Sequence, residues 1–504
     1  MGYGSYISLW IRTPRRKVQV SKPENKLLML SATKLAKLIR ERKISSVDVI
    51  RAYIHRIKEV NPLINAVVEN RFEKAIKEAE EVDDSLKRSN STESLQANKP
   101  LLGVPLTVKA SCKLSGMDFS VGLNIRKHIK ADSDGHTVAR IKSSGAIPLL
   151  VSNTPESGIS WYCHNNLTGI TCNPYDISRS SGGSSGGEGA LVGSGASVIG
   201  IGSDIAGSIR LPAMWCGVFG HKPTPRIVSL EGHFPYPVGD NTLDYFTMGP
   251  ITRYAEDLKL LLDIMTPPES VHNLKLNEKV NLSKLRIYCM PEFPKNFITP
   301  NVDDAIKHGV ETAANFLENK CGSEIMKENN FKENLLYCYV YSVFLILQLG
   351  GISDPLKAEN RNVMLELVKA SVGKSEFTIG YLFYIIMQKL NISSFYNKFN
   401  GMNEDLKKNL MEALGDDGVL ICPTYSRVAS KNSHVLCHFL GLTYLMPFNT
   451  IGFPSTQVPC GRNRDGLPIG LQVVAAPKQD RLCLAVAEEL EKCFGGWLPP
   501  GDGC

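Results

Sequence analysis

The chain has 504 residues, of which 43% are apolar and 21% charged, and its formal net charge is +7. This composition is typical of a folded globular protein with a large core, and it excludes disorder over most of the chain. Because the positive charges are spread along the chain and no zinc-finger spacing occurs, nucleic acid is not an expected partner.

The N-terminus and the cysteines bear on the compartment. Residues 1–29 are predicted to be a tail, because the short apolar patch within residues 1–17 is well below the roughly 20 apolar residues that span a bilayer. No secretory signal is recognised, and the thirteen cysteines are irregularly spaced without a CxxC motif. We therefore expect reduced thiols in a protein of the cytoplasm or of a cytosol-facing membrane or lipid surface.

The first predicted elements are helices. Ser31 can cap one helix, and Ser45 or Ser46 can cap a second that ends at Asn61-Pro62. Apolar residues recur at helical spacing in both. Residues 70–98 are charged and polar, which predicts a solvated helix followed by a loop.

Short apolar strands follow, bounded by glycine and polar residues. They are GVPLTVKA (103–110), GAIPLLVSNT (145–154) and ASVIGIGSD (196–204), and GGEGALVGSG before the third predicts a helix of small side chains. Strands that alternate with helices predict an α/β sheet covered on both faces. Lys109, at the end of the first strand, is an unusual charge for such a position.

Two strongly apolar runs occur later in the chain, at 335–349 and 377–390. Both are too short to span a bilayer, so they are predicted as buried helices, or alternatively as walls of a lipophilic pocket or a membrane-facing patch. Near the end, FNTIGFPSTQVPCG and GLPIGLQVVAAP predict strands, and AVAEELEKCFGG predicts a last helix that ends at Gly495-Gly496.

The segment 178–208, SRSSGGSSGGEGALVGSGASVIGIGSDIAGS, has the glycine and serine content of a linker but is interleaved with apolar residues. Tightly packed backbone near a ligand has this composition. A phosphate-binding loop is excluded because no lysine follows the glycines. The nucleophile-elbow pattern GxSxG matches with Ser184 at its centre, and it would require a histidine such as His434 or His438.

Longer blocks are more specific. GVPLTVKA, GGSSGGEGAL, GSDIAGSIRLPA, GHKPT, FNTIGFPSTQVP and GLPIGLQVV resemble, in this order, blocks of the amidase signature family. The resemblance implies one α/β domain over residues 30–498, with a mixed central sheet covered by helices on both faces. It also implies a variable substrate-pocket region near residues 320–400.

The resemblance implies a catalytic triad of Ser208 as nucleophile, Ser184 as the bridging serine in a cis peptide, and Lys109 as base. A lysine can accept a proton only when neutral, and burial at the end of an apolar strand lowers its pKa. A hydroxyl both donates and accepts, so Ser184 is suited to relay a proton.

The residues around the nucleophile have implied roles as well. Backbone N–H groups of Ile205, Ala206, Gly207 and Ser208 would form the oxyanion hole, with Ala206 standing where the family leads one to expect glycine. If position 206 needs a positive φ, alanine there costs on the order of 1 kcal/mol or more.

Three neighbouring residues are predicted to support the site structurally. Asp204 and Arg210 are expected to form an ion pair that holds the nucleophile loop, and Ser185 is expected to form hydrogen bonds. The histidines match no part of the family triad and are all interpreted as structural or exposed.

The predicted function is hydrolysis of carbon–nitrogen amide bonds through an acyl-enzyme on Ser208, with no metal and no organic cofactor. Several stretches, among them RYAEDL and EKCFGGW, most resemble family members that act on fatty-acid amides. Lipophilic primary amides or acylethanolamides are therefore the expected substrates. A membrane or lipid surface and a second copy of the chain are the further candidate partners.

Two alternatives stay open. The chain could be an amidase for small or aryl amides, or the glutamine-hydrolysing subunit of an aminoacyl-tRNA amidotransferase. It could also be a catalytically impaired lipid-binding or interaction protein, in which Ala206 disables the oxyanion hole.

Overall fold

The computed structural model describes residues 18–88, 98–236, 240–294, 299–326, 335, 339–340, 342–343, 361–389, 393–432 and 441–501. Its helices are α1 (Ala32–Arg40), α2 (Ser46–Ile64), α3 (Phe72–Arg88), α4 (His136–Ser143), α5 (Gly186–Gly193), α6 (Arg210–Trp215), α7 (Ala255–Met265), α8 (Pro268–Leu274), α9 (Asp304–Phe316), α10 (Val363–Ser371), α11 (Ile379–Gln388), α12 (Ser393–Leu414), α13 (Pro447–Thr450) and α14 (Asp480–Phe494).

Its strands are β1 (Val67–Asn70), β2 (Pro105–Lys109), β3 (Ile147–Ser152), β4 (His164–Asn165), β5 (Gly169–Ile170), β6 (Cys172–Asn173), β7 (Asp176–Ser180), β8 (Ile199–Asp204), β9 (Phe219–Lys222), β10 (Thr247–Thr252), β11 (Arg286–Cys289), β12 (Glu324–Ile325), β13 (Gly418–Pro423), β14 (Ser455–Arg462) and β15 (Pro468–Ala475). All five strands that the sequence predicts around the glycine-rich segment and near the chain end appear among them, as β2, β3, β8, β14 and β15, together with the helix α5.

An 11-stranded mixed sheet has the order β1-β3-β2-β8-β10-β9-β14-β15-β13-β11-β12, and β4–β5 and β6–β7 form two separate two-stranded sheets. The pairs β2–β3, β2–β8, β11–β12 and β11–β13 are parallel, and the other neighbours are antiparallel. Helices flank the sheet, so the predicted α/β class with a mixed central sheet is confirmed. Strands such as β2, β3 and β8 are buried throughout, as expected of strands covered on both faces.

The N-terminal helices begin where their caps predict. The hydroxyl of Ser31 accepts from the Lys34 N–H at the start of α1, and Ser45 caps α2. The predicted end of α2 at Asn61-Pro62 is wrong, because the helix continues to Ile64 and closes on Asn65 at φ 48°. The Asn61 side chain accepts from two backbone N–H groups just beyond the helix, which stabilises this later end.

Part of the predicted N-terminal tail packs onto the domain. Val20 is fully buried, and its N–H donates to the Pro174 carbonyl at 3.0 Å. The buried Arg56 on α2 donates to the backbone and hydroxyl oxygens of Ser21. Residues 18–29 therefore lie against the domain, whereas residues 1–17 are outside the described residues.

The parallel pairing of β2 with β8 places the ends of both strands next to each other. Thr107 is opposite Gly200 and Val108 is opposite Ile201, so both strands end at the same edge of the sheet. Lys109 is the last residue of β2, and Ser203 and Asp204 are the last residues of β8. The register thus brings the lysine and the end of the glycine-rich segment together.

The two apolar runs differ in how much of them is described. Of 335–349, only residues 335, 339–340 and 342–343 are described, so its prediction as a helix lies mostly outside the described residues. The second run forms α11, which buries Tyr381, Leu382 and Ile385 but exposes Ile379 and Phe383. Within the described ranges, no helix combines the length and apolar character needed to cross a membrane.

Candidate active site

Lys109 is the buried centre of the site. Its side chain has no solvent exposure, and its Nζ lies 2.7 Å from Ser184 Oγ and 3.0 Å from Ser203 Oγ. Burial lowers the pKa of Lys109 from 10.5 to about 8. The amine therefore exchanges its proton near neutral pH, which is what a lysine base requires.

Ser184 stands at a sharp turn between β7 and α5. The Gly183–Ser184 peptide bond is cis, as the family resemblance implies. Gly182 has φ +82°, and a side chain there would meet the Pro212 backbone at 2.8 Å. A side chain at Gly183 would meet the Ser160 carbonyl at 2.6 Å. These glycines are required by close backbone contacts, so the segment is packed structure and not a linker.

Ser208 lies on the loop between β8 and α6, beside Ser184. The Ser185 N–H donates to the Ser208 carbonyl at 3.1 Å, which holds the two serine segments together. The Ser208 side chain is 5% exposed, and its hydroxyl has no hydrogen-bond partner among the described residues. The structure thus pairs Lys109 with Ser184 and leaves the Ser208 hydroxyl free to face a ligand.

The four predicted oxyanion donors are not equivalent. The Gly207 N–H donates to Asp204 Oδ1 at 2.7 Å and is already engaged. In the described part of the chain, the N–H groups of Ile205, Ala206 and Ser208 have no acceptor. Unpaired N–H groups on a nearly buried loop are the donors that a developing oxyanion needs.

Alanine at position 206 fits the loop without a left-handed backbone. Ala206 is not among the residues with positive φ, so the conditional strain considered from the sequence does not arise. Gly207 carries the positive φ, at 99°, and a side chain there would meet Leu445 at 2.5 Å. The Ala206 carbonyl accepts from Trp161 Nε1 at 2.8 Å, which fixes the loop further.

Asp204 and Arg210 form a fully buried ion pair, with Arg210 Nε 3.1 Å from Asp204 Oδ2. Burial alone would raise the pKa of Asp204, but Arg210 and the Asn449 amide outweigh it and hold this pKa well below its usual range. The carboxylate also accepts from the Gly207 and Ile209 N–H groups on either side of Ser208. The pair therefore shapes the nucleophile loop.

Sequence reasoning missed the partners that complete this ion pair. Asn449 donates to Asp204 Oδ1 at 2.8 Å, and Gln472 accepts from Arg210 Nη1 at 3.1 Å. The signal was present, because both residues lie in the blocks FNTIG and GLQVV that carried the resemblance. What no pattern indicated was that these blocks meet behind the nucleophile loop.

A histidine also enters the site, although all histidines were interpreted as structural or exposed. His233 Nε2 lies 2.9 Å from Ser203 Oγ, the hydroxyl that also contacts Lys109. By contrast, His221 is engaged with Thr456 and Asp480 away from the two serines. His434 and His438, which the nucleophile-elbow interpretation requires, lie outside the described residues.

Ser185 supports the backbone, since its Oγ accepts from the Ser203 N–H at 3.4 Å. Across the described ranges, no three histidine, cysteine, aspartate or glutamate side chains are grouped so as to hold a metal ion.

Comparison with known proteins assigns the chain to a family. The family model described as Amidase matches residues 48–484. Fatty-acid amide hydrolase 2 of Homo sapiens is 41% identical over 502 residues, covering 97% of this chain and 92% of the relative. Fatty-acid amide hydrolase 2-B of Danio rerio is 42% identical over 486 residues, covering 95% of this chain and 92% of the relative.

Solved structures agree on the fold. A structure described as fatty acid amide hydrolase superposes with a TM-score of 0.74 at 23% identity, covering 98% of this chain and 88% of the other.

The buried ion pair leads to a stability prediction. Replacing Asp204 with Asn should lower the free energy of unfolding by about 3–5 kcal/mol, because Arg210 stays buried without its counter-charge. Asp244→Asn is the matched control, since Asp244 pairs with Arg226 at the exposed surface and should matter little. Urea denaturation of both variants measures the difference, and equal losses would contradict the prediction.

Proposed function

Since this chain belongs to the amidase family and hydrolyses amide bonds, we propose that it does so with Ser208 as nucleophile, Ser184 as proton relay and Lys109 as base. The observation that carries the proposal is the buried 2.7 Å contact between Lys109 and Ser184, beside the loop of Ser208. Lys109 is the last residue of an apolar strand and has no counter-ion at hydrogen-bond distance among the described residues. Its partners are the hydroxyls of Ser184 and Ser203.

The first step transfers one proton along this chain of groups. The Ser208 Oγ attacks the substrate carbonyl while its proton passes to Ser184 and the Ser184 proton passes to neutral Lys109. The new carbon–oxygen bond converts the carbonyl oxygen into an oxyanion, and the free N–H groups of Ile205, Ala206 and Ser208 are available to bind it. One such donor is typically worth about 2.7–4 kcal/mol of barrier.

The second step releases the amine. Protonated Lys109 returns its proton through Ser184 to the leaving nitrogen, and the carbon–nitrogen bond breaks to leave an acyl ester on Ser208. Water, activated by the same base, then cleaves the ester to yield the acid and free enzyme. The balance is one water consumed for each amide, with no redox change.

Helix α11 supports a lipophilic substrate, because it is tied to the segment that passes Ser184. Tyr381 Oη lies 3.2 Å from Ser157 Oγ. The next residue is Gly158, where an added methyl group would lie 3.6 Å from Ser184 Oγ. The inner side of α11 contributes to a cluster of buried apolar side chains, namely Leu123, Phe377, Tyr381, Leu382, Tyr384 and Ile385. We therefore infer fatty-acid primary amides or acylethanolamides as the substrate class.

The outer surface of α10 and α11 supports a lipid surface as the partner that delivers such substrates. Large apolar side chains are exposed there, namely Met364, Leu365, Val368, Val372, Ile379 and Phe383. Val368 and Phe383 are 63% and 60% exposed. Lys374, between the helices, and Lys389, at the end of α11, are also exposed. An apolar surface flanked by lysines suits a bilayer that contains anionic lipid.

Covalent labelling tests the triad. A fluorophosphonate should label the wild type and fail to label Ser208→Ala, because only an activated serine attacks it. Oleamide hydrolysis should fall by about 10²–10⁴-fold in Lys109→Ala, which removes the base. Ser85→Ala, at the exposed end of α3, is the control and should behave as the wild type.

Other labelling patterns would select the alternatives. Labelling that survives in Ser208→Ala but is lost in Ser184→Ala would favour the nucleophile elbow. A folded wild type that takes no label would favour the catalytically impaired interpretation. Labelling without oleamide turnover would leave the triad and reject the lipophilic substrate.

The pKa of Lys109 predicts the pH dependence. The base must be neutral, so kcat/KM should rise with pH through about 8 and level off above it. The groups whose charge acts on the amine are Cys112, Cys163, Asp204 and Glu188, and of these Glu188, whose pKa burial raises to about 7, titrates in the same range. Glu188→Gln removes this second titrating group, so the rise in kcat/KM should persist in that variant if Lys109 causes it. A flat profile between about pH 6 and about pH 10 would contradict the assignment of Lys109 as base.

Vesicle binding tests the surface of α10 and α11. In a sedimentation assay with phosphatidylcholine–phosphatidylserine vesicles, the wild type should be found in the vesicle pellet. The double variant Val368→Asp/Phe383→Asp should stay in the supernatant, because both changes place charge on the apolar surface. The double variant should hydrolyse a soluble short-chain anilide at the same rate as the wild type. Met411→Asp on α12 is the control for an exposed apolar residue elsewhere. Equal sedimentation of all three proteins would contradict the proposal.

A further inference from the structure

We propose that His233 is a positioning residue that keeps the Lys109 lone pair directed at Ser184, acting through the hydroxyl of Ser203; this inference rests on the proposed function of Lys109 as base. Neither His233 nor Ser203 belongs to the predicted triad. Together they form a second chain of hydrogen bonds that ends on the same amine as Ser184.

The location of His233 is set by backbone contacts beside β2. The segment around it runs along the residues that follow Lys109, with the Phe234 N–H donating to the Ser111 carbonyl at 2.8 Å and the Lys113 N–H donating to the Gly232 carbonyl at 2.9 Å. The ring packs edge-on against Phe246, with centroids 4.9 Å apart, and the residue is buried. His233 is therefore held rigidly beside the ends of β2 and β8.

The tautomer of His233 follows from its two partners. Nδ1 lies 3.0 Å from the Pro235 carbonyl oxygen, which can only accept, so Nδ1 carries the proton. Burial, together with the nearby Lys109, lowers the pKa of His233 to about 3, so the ring is neutral. Nε2 then has a lone pair and accepts from the Ser203 hydroxyl at 2.9 Å.

This assignment determines what Ser203 offers to Lys109. With its only proton given to His233, the Ser203 oxygen can only accept, and it lies 3.0 Å from Lys109 Nζ. A neutral amine has two N–H bonds and one lone pair. Ser203 takes one N–H, which leaves the lone pair free to face Ser184 at 2.7 Å.

Without an acceptor at position 233, the Ser203 hydroxyl can rotate and donate to the lone pair of Lys109. Ser203 would then compete with Ser184 for the site that must receive the catalytic proton. His233 prevents this competition because its Nε2 accepts the hydrogen bond that the Ser203 hydroxyl donates. The role requires only an acceptor at Nε2 and a donor at Nδ1.

The test compares His233→Phe with His233→Gln. Phe keeps a planar ring but has no acceptor, and kcat for oleamide should fall by about tenfold with little change in KM, less than the roughly 10²–10⁴-fold of a lost base. Gln can accept from Ser203 and donate to Pro235, so it should keep most of the activity. His55→Phe, on the exposed face of α2, is the control. If His233→Phe does not fold, His233→Met replaces it and is compared with His233→Gln in the same way.

Two readouts separate this role from a merely structural one. A Ser203 hydroxyl that donates to neutral Lys109 favours the neutral form, so the midpoint of the pH profile should move to lower pH while its plateau falls. Loosened packing that admits water would move the midpoint to higher pH. In a Ser203→Ala background, His233→Phe should cost nothing further, because the competing hydroxyl is gone.

The outcomes are distinguishable from failure of the proposed function. If the wild type hydrolyses oleamide and Lys109→Ala does not, but His233→Phe matches the wild type, the inference about His233 is overturned alone. Equal losses from His233→Phe with and without Ser203 would also overturn it. If Lys109→Ala retains full activity, the proposed function itself is wrong.

Discussion

A lysine amine that is buried, with no counter-ion at hydrogen-bond distance in the described part of the chain, is the constraint on which the site depends. Lys109 has no solvent contact, and it contacts the hydroxyls of Ser184 and Ser203 and not a carboxylate, so burial lowers its pKa to about 8. Asp204, one strand away, is buried just as fully but has Arg210 beside it and stays ionised. Desolvation acts on both groups, and the presence or absence of a close counter-ion decides which one can exchange a proton.

The second constraint is how closely backbone segments must approach one another. At Gly182 and Gly183, a side chain would overlap the backbone of neighbouring segments, and at Gly207 it would overlap Leu445. Glycine therefore allows the turn that presents Ser184 and the loop that presents Ser208 to lie side by side. Where the backbone does not need positive φ, as at Ala206, a methyl group is accommodated, and Trp161 binds the carbonyl of the same residue.

Side chains from distant parts of the chain hold the residues around Lys109 and Ser208 in place. Asn449 and Gln472 hold the Asp204–Arg210 pair, and His233 binds the hydroxyl that contacts Lys109. On the other side, Tyr381 links the apolar helix α11 to the segment that passes Ser184. The same helix exposes Phe383, so one element connects the proposed triad to the apolar surface proposed for lipid binding.

The sequence by itself determined the types of the helices and strands and the family, because Ser31 caps a helix, short continuous apolar runs form buried strands, and long ordered blocks identify the family. It indicated Lys109, Ser184 and Ser208 only through the family resemblance, and their catalytic roles are proposed. It did not determine the end of α2, where the Asn61 side chain stabilises an extension past Pro62. Nor could it show that Gly207, and not Ala206, needs positive φ, or that His233 reaches Ser203. The end of α2 depends on Asn61 contacts only five and six positions along the chain, which no helix pattern indicates, whereas the contact of Ser203 with His233 joins residues 30 positions apart. Only the tertiary structure brings these segments together, because strand order and loop path carry no local signal.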